Sequence, residues 1–202
     1  MTNRFEMSMM GEMSYFLGLQ VKQLPEGFFL SQTKYAKDLL SKFDLKENTK
    51  AKKVPMCPSA KIELESSEPD FDISKYRSII GSLLYLTAKR PDIAFAVGLC
   101  ARFQAAPKQN HYLAAMNILK YIKGTMDVGL WYAKNDSLDL HGYTDSDLAG
   151  CRIDRKSTSG TCQFLGNKLI SWMSKKQISI ALSTAEVEYV AAGNCCAQLL
   201  WM

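Results

Sequence analysis

Apolar and polar positions along the chain fall into blocks with different periods. Residues 14–22, Ser-Tyr-Phe-Leu-Gly-Leu-Gln-Val-Lys, and residues 27–31, Gly-Phe-Phe-Leu-Ser, are rich in β-formers. Pro25-Glu26-Gly27 separates them, which predicts a hairpin. From Gln32 to Phe43 the period changes: Tyr35, Leu39, Leu40 and Phe43 recur at helical spacing, with Lys34, Lys37 and Lys42 on other faces. Residues 44–72 are polar, carry Pro55, Pro58 and Pro69, and read as a linker. A second helix is predicted over 74–88, with Ser74 as its cap and Tyr76, Ile79, Ile80, Leu83, Leu84 and Leu86 as its stripe. Arg90-Pro91-Asp92 interrupts it, and Pro91 suits the first turn of a helix over 91–103. A further helix is predicted over 108–123, stopped by Gly124.

After Gly124 strand patterns take over. Residues 128–132, 138–145, 160–166 and 168–173 read as strands, the last two joined by a Gly166-Asn167 turn. Residues 183–201 read as a helix capped by Ser183 or Thr184, with its apolar stripe through Ala185, Tyr189, Ala192, Cys196 and Leu200. The fold class is therefore α/β in the α+β sense. A mainly helical front with a small hairpin covers 1–124, and a strand-rich back covers 125–202, with the boundary near 124–135.

Composition bounds what such a chain does. With 202 residues it is long enough to bury a core without disulfides, and 47% hydrophobic with 22% charged residues is ordinary for a globular domain. Six cysteines, Cys57, Cys100, Cys151, Cys162, Cys195 and Cys196, show no C-x-x-C spacing. Together with His111 and His141 they make no zinc motif, and they read as buried thiols of a reducing compartment. The N-terminus shows no signal-peptide core, no apolar run has the length of a membrane span, and no Arg-x-Leu-Arg motif occurs. The expectation is an intracellular protein, cytoplasmic or nuclear, with no membrane partner. A net charge of +5 is a mild pointer to an anionic partner.

Two segments carry candidate chemistry. In Gly142-Tyr-Thr-Asp-Ser-Asp147, Asp145 ends a predicted strand, and in extended chain Asp145 and Asp147 point the same way. Paired carboxylates hold Mg²⁺, a hard ion that takes oxygen ligands, although D-x-D also makes ordinary polar turns. In Ser183-Thr-Ala-Glu-Val-Glu-Tyr-Val-Ala-Ala192, Glu186 and Glu188 flank the helix stripe from opposite sides, and periodicity does not choose between them. Both also suit a helix N-terminus as solvated acids. Tyr143 and Trp172 are read as core.

Taken in order, these segments resemble the ribonuclease H of Ty1/copia elements: Tyr143-Thr-Asp-Ser-Asp-Leu-Ala-Gly-Cys151, Arg155-Lys-Ser-Thr-Ser-Gly160, Ile170-Ser-Trp172, Ser174-Lys-Lys-Gln177 and Leu182-Ser-Thr-Ala-Glu-Val-Glu-Tyr189. Upstream, Tyr15-Phe-Leu-Gly18, Leu30-Ser-Gln-Thr-Lys-Tyr35, Tyr76-Arg-Ser-Ile-Ile-Gly-Ser-Leu-Leu-Tyr-Leu86, Arg90-Pro-Asp-Ile93 and Leu119-Lys-Tyr-Ile-Lys-Gly-Thr125 resemble the family's reverse transcriptase after its catalytic motif. The resemblance covers nearly the whole chain. It implies a palm end and thumb-like region over 1–124, then part of a ribonuclease H-like sheet and helix over 125–202. It implies cleavage of the RNA strand of an RNA–DNA hybrid by carboxylates holding two Mg²⁺ (or Mn²⁺) ions. By matched position Asp145 is the first ligand and Glu188, before Tyr189-Val-Ala191, the second, with Asp147 nearby. Arg152, Arg155, Lys156, Lys175 and Lys176, with Lys108, Lys120 and Lys123, would contact phosphates.

The departures matter as much. The family's Tyr-x-Asp-Asp motif is not matched, since no two aspartates are adjacent. No Asp or Glu follows Glu188, whereas the family places further catalytic carboxylates beyond that helix. The expectation is a catalytically incomplete retrotransposon-derived chain with residual nucleic-acid binding. An uncovered sheet and helix face would favour self-association. A ribonuclease H completed by another chain, or a co-opted interaction protein such as an organellar reading frame or an effector, are the alternatives.

Overall fold

The computed structural model describes residues 11–46, 48–56, 68–135, 137–151 and 154–202. Strands β1 (Tyr15–Phe16), β2 (Leu19–Leu24) and β3 (Gly27–Ser31) open the chain. The predicted hairpin is present as β2–β3, but the first strand is broken by a turn in which Leu17 and Gly18 have φ of 47° and 77°. The Tyr85 hydroxyl donates to Leu17 O at 2.7 Å, and a side chain on Gly18 would collide with that hydroxyl, so this turn tolerates glycine there.

Helix α1 (Thr33–Lys42) follows, then α2 (Ile73–Thr87), a 3₁₀ turn (Pro91–Ile93), α3 (Ala94–Ala101) and α4 (Gln109–Gly124). The cap of α2 is Asp72, whose side chain accepts Lys75 N–H, and not Ser74, which lies within the helix. The predicted helix over 91–103 is shorter, because Pro91 opens a 3₁₀ turn before α3 begins. One apolar core joins α1 to α4, with Tyr76, Ile80, Leu83, Val97, Ile118 and Ile122 buried in it. Stripes at i, i+3, i+4 and i+7 from four short helices need one another, since none buries its apolar face alone.

Strand β4 (Leu130–Ala133) pairs antiparallel with β3, giving a first sheet in the order β1-β2-β3-β4. It therefore joins the front sheet although it lies beyond residue 124. Strands β5 (Leu140–Ser146), β6 (Thr158–Leu165) and β7 (Lys168–Lys176) form a second antiparallel sheet, β5-β6-β7, with Asp145 opposite Gly160 and Ser159 opposite Lys175. Helix α5 (Thr184–Trp201) packs on β5 and β6. Its buried residues are Val187, Ala191 and Cys195, at i, i+4 and i+8. The expected stripe through Ala185, Tyr189, Ala192, Cys196 and Leu200 does not face the sheet: Tyr189 is 80% exposed and Leu200 is 89% exposed. Buried opposite α5 are Ser159, Thr161 and Gln163, so the sheet offers polar partners and α5 meets them with small residues. Gln177 Nε2 bonds Ser159 Oγ at 2.9 Å and Val187 O at 3.1 Å, which ties helix to sheet.

The two parts meet chiefly along β7. Trp172 Nε1 donates to Thr87 O at 2.9 Å, and the Tyr132 hydroxyl donates to Leu169 O at 2.9 Å. Among the described residues no helix is long and apolar enough to cross a membrane. The thiols of Cys100, Cys151 and Cys195 are buried and that of Cys162 is partly covered, but Cys196 is exposed; Cys57 lies outside the described residues. Burial pushes the Cys100 thiol up to about 12, which keeps it protonated and inert.

Candidate functional site

Side chains alternate across β5. Gly142 faces α5, where an added Cβ would meet Cys195 Sγ and Leu199, so Tyr143 and Asp145 point to the opposite face of the sheet. That face borders a cleft of about 590 Å³ between the sheet and the front helices. Pro91, Ala94 and Phe95 wall one side, with Tyr143, Asp145 and Trp172 among the residues on the other. Tyr143 is 61% exposed, so it is not core; it stands edge-on to His141 and Phe164. Trp172 is half-buried and borders both this cleft and a neighbouring cavity of about 430 Å³ along α2 and α3.

The two aspartates of the D-x-D pair have different surroundings. Asp145 is exposed and makes no hydrogen bond or ion pair with any described residue. Asp147 Oδ1 accepts Thr158 N–H at 2.6 Å, and Asp147 N–H donates to Thr158 O at 3.3 Å. Gly150 is packed against the Asp147 carboxylate so closely that a Cβ there would overlap it. Asp147 thus closes the connection between β5 and β6.

On α5, Ser183 Oγ accepts Glu186 N–H at 3.2 Å while Glu186 Oε2 accepts Leu182 N–H at 2.8 Å. The reciprocal pair is a capping device and accounts for Glu186. Glu188 is exposed, has no partner among the described residues, and does not line the Asp145 cleft. Among the described residues no three His, Cys, Asp or Glu side chains gather as a metal site would require. Of the described residues at this cleft, Asp145 offers a carboxylate without a partner and Asp147 one already bonded to Thr158, and these two alone do not make the donor set that two Mg²⁺ or Mn²⁺ ions take.

The basic candidates also separate. Lys176 Nζ lies 2.7 Å from Asp154 Oδ2, and hydrogen bonds from Lys176 and then Cys151 hold the Asp154 carboxyl well below the usual carboxylate range. Arg155, at φ 56°, and Lys175 are exposed, with no ion pair to a described residue. Lys156 is half-buried, and Arg152 lies outside the described residues. Lys108 pairs with Asp70 at 2.7 Å, and Lys123 Nζ binds Lys46 O at 2.9 Å and Thr49 O at 3.0 Å, so both serve the fold of the front part. Arg102, at the end of α3, donates to Thr158 Oγ1 at 3.1 Å, which puts a guanidinium from the front part beside the Asp147 loop. Nothing in its local sequence marks Arg102; only the packing of α3 against β7 brings it there.

A retroelement origin accounts for this combination of motifs. The chain is 39% identical over 202 residues to the retrovirus-related Pol polyprotein from transposon RE1 of Arabidopsis thaliana, and spans 14% of that polyprotein's length. It is 39% identical over 204 residues to an uncharacterized mitochondrial protein of Arabidopsis thaliana, covering all of this chain and 83% of that one. It is also 38% identical over 128 residues, 63% of this chain, to secreted RxLR effector protein 161 of Plasmopara viticola, covering 90% of that protein. No family model matches the chain, and no solved structure matches it. The chain belongs to the Pol polyprotein family of Ty1/copia-type retrotransposons.

Proposed function

We propose that this chain is a retrotransposon-derived nucleic-acid-binding protein that holds RNA–DNA hybrid without turning it over in isolation. In this reading 1–124 is the palm end and thumb-like part of a reverse transcriptase, and 125–202 is part of a ribonuclease H-like domain. The supporting observation is the arrangement at one end of the second sheet. Exposed Arg155 and Lys175 stand there with no ion pair to a described residue, at the same end as Asp145, whose carboxylate likewise bonds none of them. Free cations at the surface are available to phosphates, and releasing counterions from the duplex would supply most of the affinity. Among the described residues no three His, Cys, Asp or Glu side chains gather around Asp145, which supports binding without two-metal hydrolysis.

Fluorescence anisotropy with a labelled RNA–DNA hybrid tests the binding half across a salt series. The expected result is affinity that falls steeply with salt and does not depend on sequence. Affinity indifferent to salt overturns it.

A second reading, an interaction protein without nucleic-acid binding, draws on the likeness to the effector-named relative, which this chain covers almost end to end. No measurable hybrid binding by the folded chain favours it.

A further inference from the structure

The cleft beside Asp145 has a bare floor. Ser159 and Thr161 are buried under α5, so Gly160 between them faces the opposite way, into the cleft. A Cβ added to Gly160 would meet only Asp145 O, at 3.8 Å, so the sheet surface is open there. In register, Asp145 stands on one side of Gly160 and Ser174 on the other, and the next row on this face is Tyr143, Cys162 and Trp172. The Trp172 indole is fixed by its bond to Thr87 O. Phe95, on the α3 wall, is 48% exposed and makes no ring contact with a described residue. The cleft therefore pairs flat apolar walls with one carboxylate that has no partner among the described residues. Its volume of about 590 Å³ is that of a small-ligand site. Past Ala94, Trp172 and Ser174 it continues into the cavity of about 430 Å³, where half-buried Lys89 has no ion pair to a described residue.

We propose that this cleft is a pocket for an unpaired guanine base of a nucleic-acid strand, with Asp145 reading the base and Lys89 meeting the strand's phosphates. The inference rests on the nucleic-acid-binding reading above and names what the site selects. Exposed rings gain by stacking on a base, and an unpaired base is read along its Watson–Crick edge. The carboxylate decides which base. An ionised carboxylate only accepts hydrogen bonds. Guanine sets N1–H and its N2 amine side by side, two parallel donors for the two Asp145 oxygens. Adenine and cytosine set an acceptor nitrogen beside their amine, and thymine or uracil sets one donor between two acceptor oxygens. Each of these turns a lone pair toward the carboxylate. The Asp145 charge also repels phosphate, which keeps the backbone at the Lys89 end. In a fully paired hybrid the Watson–Crick edge is taken, so duplex binding stays independent of sequence.

Fluorescence anisotropy on the full chain with a short labelled oligothymidylate, carrying one central guanine, hypoxanthine or adenine in place of thymine, tests this in EDTA, which keeps metal ions off Asp145. The guanine strand should bind at least about fivefold more tightly than the others, the discrimination one bidentate pair supplies. Hypoxanthine lacks the N2 amine and should lose most of that preference. Asp145→Asn should abolish it, because an amide offers one donor and one acceptor. Gly160→Val fills the floor where a Cβ has room, and should abolish it with the unfolding midpoint unchanged. Lys89→Glu should weaken every strand by a similar factor and keep the preference. Equal affinity for all strands, or a guanine preference that survives Asp145→Asn or Gly160→Val, overturns the proposal. Salt-sensitive hybrid binding without a guanine preference sinks this inference alone, whereas a guanine preference without hybrid binding sinks the hybrid reading alone.

Discussion

The Asp147 carboxylate and the Thr158 N–H, eleven residues apart in sequence, meet at 2.6 Å and close the β5–β6 connection. Asp145, two residues earlier, has no such partner among the described residues. The D-x-D pair is thus one structural and one free acid. Asp147→Ala should leave the Thr158 N–H without its acceptor and cost about 1 kcal/mol or more. Asp147→Asn keeps an acceptor oxygen and should lose less. Urea unfolding of the two variants checks the order, and no loss in either variant would place Asp147 outside the fold's support.

The α5–sheet interface contains buried polar atoms with no hydrogen-bond partner, among them Thr144 Oγ1. Thr144→Val replaces that hydroxyl by a methyl group of the same shape. Removing an unsatisfied buried group should raise stability by about 1 kcal/mol. A measured loss of stability would mean that the hydroxyl has a partner in solution.

Arg90 is 3% exposed and binds Asp92 Oδ2 at 2.7 Å, Thr125 O at 2.9 Å and Thr125 Oγ1 at 2.7 Å, clamping the 3₁₀ turn to the end of α4. Burial raises the Asp92 carboxyl's pKa, but the Arg90 and Tyr121 hydrogen bonds and the Arg90 charge outweigh it and hold the group below its ordinary 3.8. A depressed carboxylate stabilises the fold above its unfolded-state value, and that contribution fades as pH falls through the folded-state value. Asp92→Asn should therefore lower the melting temperature at neutral pH, and the gap to the parent chain should narrow below about pH 4. Arg90→Lys should be destabilising at all pH values, because a single ammonium cannot reach Asp92 and both Thr125 oxygens in the same planar fork.

Free and committed cations should respond differently to charge reversal. Lys175→Glu and Arg155→Glu should each weaken hybrid binding and reduce the salt slope by roughly one. Lys176→Glu should chiefly lower stability, since Lys176 already pairs with Asp154. Equal effects of all three on binding, with stability unchanged, would remove the distinction.

Much of the fold is legible in the sequence because its elements announce themselves locally. The stripe through Tyr76, Ile79, Ile80 and Leu83, the Gly166-Asn167 turn and the Ser183 cap each depend on neighbours within a few residues. What was not legible depends on partners far along the chain. Strand β4 carries nothing that says it pairs with β3 a hundred residues earlier, and Arg102 has no meaning until α3 meets the second sheet. Helix α5 shows the limit most clearly. Its sequence offers two apolar stripes, and the one through Val187, Ala191 and Cys195 packs on Ser159, Thr161 and Gln163, whereas the stripe through Tyr189 and Leu200 is exposed. Which acid of α5 is free is settled only by the cap: Glu186 bonds Leu182 N–H, whereas Glu188 bonds none of the described residues. Tyr143 reads as core and is exposed, because an aromatic on a strand looks the same in sequence whether its face is covered or open.

The most direct test is cleavage of a labelled RNA–DNA hybrid by the full chain with Mg²⁺ or Mn²⁺, beside Asp145→Asn, under conditions where anisotropy shows the hybrid bound. Bound, uncut hybrid is expected with both proteins. Metal-dependent cleavage that disappears in Asp145→Asn would contradict it, and would mean that a complete set of carboxylates assembles around Asp145.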